Sequence, residues 1–443
     1  MVAASGKMPA DTNEVTGMVT QSVLPFKLAM SKETVTPHAG LALFGEFLRG
    51  LKLPGAVDEA LPEPGSGAGY DPSRFVLPLV LMLHGGGRAL EDLRQIREDG
   101  GLREVLELTE LPSADATGDW LRRMGGGLGL AGLAEVNRRV LQRVLKRDGI
   151  REYTLDIDAT QIVAEKQEAQ RSYKGELGYM PIVGHLAENG LVAGEEFRAG
   201  NESPGARNVE FIRYCEAQMP AGTCIAHLRQ DSAAYQAQVF NDCEQKGRRF
   251  AIGADLDTAV RAAIAAIPAA AWRPYQNGRI AETVHTMNHT RQAFRLIAIR
   301  RPTQLALIED GQPPERYTVI ASNRQESAEQ TVAWYNRRGD ASENRLKELK
   351  NGFGMERMPC GTLEANAAFF RIGALAYNLF VLFKRLALPQ SWRHHQVQTL
   401  RWRLYQCAGK VVTHAGALFL KVAAGLFALF DEIRSRCREL ACS

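Results

Sequence analysis

The segment from residue 153 to residue 253 carries a series of strand and helix patterns that constrains the fold more than any other feature of this 443-residue chain. Residues 153–160 alternate apolar and polar side chains, which predicts a strand with Asp156 and Asp158 on its polar face. The elements predicted after it are strands over 179–186 and 191–198, a helix over 208–219, a strand over 223–229, a helix over 233–246 and a strand over 248–253. The predicted order is therefore β-β-β-α-β-α-β.

Three acidic residues occupy distinctive positions in this pattern. Asp158 lies on the first strand, Asp231 follows the fourth strand, and Glu343 opens a later predicted helix. One aspartate at the end of a strand is usually a cap or turn residue. Three acids on a first strand, after a later strand and on a following helix favour a functional interpretation.

The Glu343 helix is predicted within the segment 335–350, after a Gly-Asp-Ala-Ser turn in which Ser342 is the expected N-cap. At 3.6 residues per turn, Glu343, Lys347 and Lys350 fall on one stripe. Such a stripe is often a solvated ion-pair face. The two upstream aspartates favour a functional role here.

The order of elements resembles the ribonuclease-H-like catalytic domain of DDE transposases, and the segment 335–350 resembles the Tyr-Arg-Glu-Lys signature of bacterial insertion-sequence transposases. Further motifs are similar to the thirteen-eighty group of those elements. They are Leu-Asp-Ile-Asp-Ala-Thr, Arg198-Ala-Gly-Asn201, Arg229-Gln-Asp-Ser232, the Glu343–Lys350 segment and Ala376-Tyr-Asn-Leu379. In the family signature three residues separate the Arg from the Glu, whereas here four separate Arg338 from Glu343, so the family's arginine matches Arg338 or its neighbour Arg337.

The resemblance implies an α/β fold with a ribonuclease-H-like catalytic core, a β-rich insertion and helical flanking regions. The expected divisions are a disordered N-terminus (1–23), a helical region that could bind DNA ends (24–150), the core (151–257 and 324–380), the insertion (258–323) and a basic helical region (381–443). The insertion is expected to form a small antiparallel sheet.

The resemblance also implies Asp158, Asp231 and Glu343 as catalytic residues and as ligands of two Mg²⁺ or Mn²⁺ ions. Mg²⁺ favours carboxylates together with water and phosphate oxygens, and a metal pair can stabilise both the attacking and the leaving oxygen at phosphorus. Asp156 shares the polar face of the strand and remains an alternative ligand. Asp158 is favoured because Asp158-Ala-Thr160 matches the family motif.

The expected partners are double-stranded DNA, as element ends and as target, and a second copy of the chain, in the bacterial cytoplasm and without a membrane. The resemblance implies phosphate contacts from Tyr335, Arg338, Lys347 and Lys350, and a DNA hairpin contact from Trp272 on the insertion. The alternative for Trp272 is an anchor between sheet and core. A structure-selective nuclease of the same fold and an inactive DNA-binding relative are the alternative functions.

Charge and composition are compatible with this hypothesis. The net charge is only +4, but the C-terminal region is rich in basic residues and poor in acids, and Arg401 and Arg403 among them are candidate phosphate contacts. The seven cysteines form no Cys-x-x-Cys pair, so neither zinc nor a disulfide framework is predicted. The apolar segment 411–430 has the length of a membrane span, but it contains Lys421 and is predicted to be a buried core helix.

Overall fold

The computed structural model describes residue 24 and residues 30–65, 69–302, 315–339 and 343–442. The predicted disordered N-terminus (1–23) lies outside these residues. The first part of the described chain is helical, as predicted, apart from one short strand. Its elements are β1 (Thr34–Thr36), α1 (Ala39–Gly50), α2 (Leu53–Ala60), α3 (Ser73–Gly85), α4 (Leu93–Glu98), α5 (Gly100–Val105), α6 (Ala114–Met124) and α7 (Gly127–Asp148).

The next segment confirms the predicted order of strands and helices. Its elements are β2 (Glu152–Ala159), β3 (Ile162–Val163), β4 (Gln170–Arg171), β5 (Leu177–Tyr179), β6 (Ile182–Leu186), β7 (Val192–Glu196), α8 (Asn208–Ala217), β8 (Cys224–Gln230), α9 (Ala237–Lys246) and β9 (Arg249–Gly253). The short strands β3, β4 and β5 form a separate small sheet. β2, β8 and β9 run parallel to one another, whereas β6 runs antiparallel to both of its neighbours, β2 and β7.

Within its described residues, the insertion contains one α-helix and four strands: α10 (Thr258–Ala265), β10 (Arg273–Tyr275), β11 (Gly278–His285), β12 (Phe294–Pro302) and β13 (Glu315–Ser322). These strands are antiparallel, as predicted, and they do not form a separate sheet. β13 pairs with β9, with Ser322 opposite Ala251, so that the insertion extends the core sheet. The result is a nine-stranded sheet in the order β10-β11-β12-β13-β9-β8-β2-β6-β7.

The remaining elements are α11 (Ala328–Arg338), α12 (Asn344–Lys347), α13 (Leu363–Leu386), α14 (Val397–Leu400), β14 (Gly409–His414), β15 (Ala417–Lys421) and α15 (Ala424–Cys442). Helix α13 packs against α3, α6, α7 and the β7 edge of the sheet, and so joins the helical region to the catalytic core. Among the described residues it is the one helix long and apolar enough to span a membrane. However, 89% of its most apolar stretch is buried inside the protein.

The prediction of a buried core helix over 411–430 is wrong. The segment forms the β14–β15 hairpin and the beginning of α15. The hairpin turns at Ala415 and Gly416, whose φ angles are 49° and 76°. Two consecutive left-handed residues form the tight turn whose twist matches that of paired strands. This local turn divides an apolar run that composition alone assigns to a helix.

Candidate active site

The parallel pairing of β2 with β8 brings Asp158 and Asp231 to the same edge of the sheet. Ile157 lies opposite Gln230 in this ladder; Asp158 is the next residue of β2, and Asp231 directly follows the end of β8. Asp158 is buried, whereas the Asp231 side chain is 53% exposed and accepts a hydrogen bond from the Ala233 amide at 3.1 Å. The fold thus places one buried and one exposed carboxylate next to each other at the ends of these two strands.

Both aspartates converge on the guanidinium of Arg338, the last residue of α11. Arg338 donates to Asp158, and its Nη2 lies 4.0 Å from an oxygen of Asp231. Burial lowers the pKa of Arg338, but Asp158 and the other acidic groups around it, among them Asp231, together outweigh this effect, so the net pKa is raised. The group between the two acids is therefore a firmly charged cation.

The third predicted acid, Glu343, is exposed and lies just after residues 340–342, which include the predicted N-cap Ser342 and fall outside the described residues. A methyl group placed at Gly339 would lie 4.0 Å from the Glu343 carboxylate, so this acid sits close to the end of α11. Within the described ranges, no three His, Cys, Asp or Glu side chains are close enough to hold a metal ion. The two aspartates are suited to binding a metal cation, because both already lie close to the Arg338 cation. Glu343 is not close enough to them to complete a three-residue metal site.

Asp156, the alternative ligand, is committed to another partner. It is fully buried and forms a two-point ion pair with Arg229, with N–O distances of 2.6 and 2.8 Å. Arg229 also donates to the Trp334 carbonyl at 2.7 Å and lies over its ring, 4.9 Å from the ring centre. This network fixes α11, which carries Arg338, to strands β2 and β8.

The helix that follows Glu343 does not keep the predicted stripe. α12 has only four residues, and residues 348–352 form a π-helical turn, which has more residues per turn than an α-helix. Lys350 consequently points toward β2, where its Nζ donates to the Thr160 hydroxyl at 2.9 Å and to the Gln161 carbonyl at 3.3 Å. Lys347 is exposed and lines a different cavity.

An open cleft of about 1010 Å³ lies between Asp231 and Lys350. Asp231, Thr160 and Lys350 line it, together with Tyr173 and Lys174 of the loop between β4 and β5. Tyr173 is 69% exposed, and the Lys174 ammonium lies 5.6 Å from its ring centre. The sequence did not predict this aromatic and basic rim, since its residues lie in a loop and carry no periodic pattern.

Comparison with known proteins identifies the family. The model of the family described as "Transposase DDE domain group 1" matches residues 22–440.

The chain belongs to this family.

Among solved structures, the chain is similar to the piggyBac transposase in a synaptic complex with hairpin DNA. The identity is 10%, the match covers 85% of this chain and 82% of that one, and the TM-score is 0.45. No curated protein matches the chain. Membership of a transposase DDE domain family, together with the mixed sheet and its flanking helices, confirms the predicted fold class.

Two predicted DNA contacts of this DDE transposase chain need correction. Arg401 is buried and donates to the backbone carbonyls of Leu83, His84 and Gly352, so its guanidinium is not presented to a phosphate. Trp272 is only 6% exposed, and Arg300 lies over its ring at 4.4 Å. The burial of Trp272 therefore favours the alternative interpretation, in which this side chain is an anchor within the fold.

The remaining predicted contacts have mixed environments. Arg403 is exposed, as a phosphate contact requires. Tyr335 is partly buried against the insertion side of the sheet, and burial raises the pKa of its hydroxyl. Arg338 is engaged with Asp158, so a phosphate contact from Arg338 would require that ion pair to open.

We expect Lys350→Ala to slow single-turnover cleavage of pre-bound end DNA by roughly 10- to 100-fold. A hydrogen bond to a charged group contributes about 1.5–3 kcal/mol, and 1.36 kcal/mol changes a rate tenfold. Lys350→Arg should restore part of the rate, because a planar guanidinium replaces a compact ammonium imperfectly. Lys347→Ala is the matched control on the other face. An equal reduction of the cleavage rate in Lys350→Ala and Lys347→Ala would show that Lys350 has no specific role in positioning the DNA.

Arg401 and Arg403 should give opposite results when each is replaced. Arg403→Glu should flatten the slope of log affinity against log salt by about 1 on specific and random DNA alike, because one phosphate is no longer neutralised. Arg401→Ala should instead lower the free energy of unfolding by at least about 2 kcal/mol, since buried carbonyls are left without their donor. DNA titrations at several salt concentrations and thermal melting curves separate the two effects. A normal melting curve for Arg401→Ala would contradict its structural role.

Proposed function

We propose that the protein is a DNA transposase of the thirteen-eighty group, which binds the terminal inverted repeats of its element, cleaves the ends and joins the freed 3′-hydroxyl to target DNA. The observation that supports this most strongly is the convergence of Asp158 and Asp231 on one cation at the edge of the parallel strands. It occurs in a chain that belongs to a transposase DDE domain family.

The proposed metal ligands are Asp158, Asp231 and Glu343, which would hold two Mg²⁺ or Mn²⁺ ions. When bound, such ions stabilise the attacking and leaving oxygens during displacement at phosphorus. Asp158 and Asp231 are already held side by side by the sheet. Glu343, on the segment after α11, would need to approach them.

Basic and polar residues of this chain would position the DNA. Lys350, anchored to the Thr160 hydroxyl, presents its ammonium in the same cleft as Asp231. Burial lowers the pKa of this lysine, the nearby Lys174 adds to the effect, and Glu356 opposes it. A phosphate in the cleft would supply the negative charge that favours the charged form.

Two copies of the chain are proposed to act together in the bacterial cytoplasm, because excision of an element requires both of its ends to be cut and held. Mass measurement of the protein on end DNA should give two chains for each pair of ends. One chain for each pair would reject this proposal.

The function is tested with duplex DNA that carries the inverted repeats flanking the gene in its genome. The purified chain with Mg²⁺ should cut at the repeat boundary and join the repeat's 3′ end to a plasmid, and a scrambled repeat should remain intact. Cutting of branched or hairpin DNA regardless of repeat sequence would instead identify a structure-selective nuclease. Repeat binding without any cleavage would identify an inactive DNA-binding relative.

A further inference from the structure

Trp402 differs from the other tryptophans of the chain in its exposure. Among the five tryptophans, Trp120, Trp272 and Trp392 are buried and Trp334 is partly covered, whereas Trp402 is 79% exposed. An indole ring left in water forgoes the stabilisation that its burial would provide, which amounts to a few kcal/mol for a large apolar side chain. Its position on the surface therefore suggests a ligand with an apolar face.

The surroundings of Trp402 are basic. Residues 390–406 contain no Asp or Glu, and Arg393, His394 and Arg403 are exposed there. The Arg403 guanidinium lies over the Trp392 ring, 4.9 Å from its centre, and 3.1 Å from the His395 ring nitrogen. These contacts hold the Arg403 side chain in place without neutralising its charge, so the patch favours an anion.

Internal contacts fix this patch to the segment that begins with Glu343. The Val397 amide donates to the Glu348 carboxylate at 2.7 Å, and the neighbouring Arg401 donates to the Gly352 carbonyl at 2.7 Å. A cavity of about 310 Å³ separates Asn344 and Lys347 on one side from Gln396 and Gln398 on the other. Gln398, which is exposed, lies about one helical turn before Trp402 in the sequence.

We propose that Trp402 is a stacking platform for an unpaired nucleotide of the bound DNA, with Arg403 and Arg393 contacting the adjacent phosphates. A base offers the flat apolar face that fits an exposed indole, and its phosphates fit the exposed arginines Arg393 and Arg403. A protein partner with an apolar surface would gain nothing from the arginines. The inference rests on the proposed function only in taking DNA as the partner.

The test compares a blunt DNA duplex with the same duplex carrying a short oligo-dT overhang, in fluorescence-anisotropy titrations without divalent metal. Trp402→Ala should weaken binding of the overhang duplex by roughly 5- to 150-fold, the range typical of base–aromatic stacking, and leave the blunt duplex unchanged. Trp402→Phe should retain most of the affinity. Phe427→Ala on α15, another exposed aromatic at 66%, is the matched control and should affect neither duplex.

Intrinsic fluorescence gives a second readout, because Trp402 is the most exposed of the five indoles. The overhang duplex should quench wild-type emission and shield it from acrylamide, and this response should be absent from Trp402→Ala. Equal weakening on both duplexes, or no weakening, would overturn the proposal. Since no cleavage is measured, a chain that fails to transpose can still pass this test, and an active transposase can fail it.

Discussion

An Asp231→Asn variant is expected to cleave end DNA at least about 1,000-fold more slowly than the wild type. A metal bound by this carboxylate contributes several kcal/mol to stabilisation of the transition state, and each 1.36 kcal/mol corresponds to a factor of ten. Asparagine keeps an oxygen that can accept the Ala233 amide, so the local cap is retained. Single-turnover cleavage of pre-bound DNA measures the chemical step directly.

The matched control is Asp255→Asn. Asp255 is also exposed and lines the same cleft, but it lies outside the predicted set of three acids. It should cleave within a few-fold of wild type, and both variants should bind end DNA normally because binding depends mainly on phosphate contacts. Cleavage at wild-type rate by Asp231→Asn in Mg²⁺ would exclude Asp231 as a ligand and leave the proposed mechanism without support.

Sequence pattern was sufficient for the part of the fold that holds the two aspartates. Period-two alternation identified β2, and a short, largely apolar run identified β8; parallel pairing then brought the ends of the two strands together. The pattern could not show that β13 would pair with β9, because strand partners depend on contacts distant in sequence. An apolar run such as 411–430 is equally compatible with a helix or a hairpin until the turn at Ala415 and Gly416 is recognised.

In the candidate site, too, features set by local sequence could be predicted, whereas features set by contacts distant in sequence could not. The positions of the acids on their elements follow from spacing, but the pairing of Arg338 with Asp158 joins residues 180 positions apart. The direction of the Lys350 side chain depends on a π-helical turn, which no residue pattern in the sequence predicts. Arg401 and Arg403 stand two residues apart in a basic run, and only packing against Gly352 decides that one is interior and the other exposed.

Asp156→Ala is expected to lower the stability of the protein by about 3–5 kcal/mol, the usual cost of removing one partner from a buried ion pair. The variant would leave the Arg229 guanidinium buried at 3% side-chain exposure without its carboxylate. The cost arises from the uncompensated charge, so Asp156→Ala combined with Arg229→Met should be less destabilised than Asp156→Ala alone. Thermal melting midpoints and soluble yield at a fixed temperature measure the difference.

The same substitutions decide between the two aspartates of β2. If Asp156 serves only to hold α11 through Arg229 and the Trp334 carbonyl, the folded fraction of the double variant should keep measurable cleavage. Asp158→Asn, by contrast, should cut no DNA, and it should melt closer to wild type than Asp156→Ala, because asparagine keeps an oxygen that can accept from Arg338. A double variant that folds and binds DNA but never cuts would instead make Asp156 the ligand. The short strand would then use the deeper of its two carboxylates for chemistry, and the Arg229 ion pair would have to open each time a metal binds.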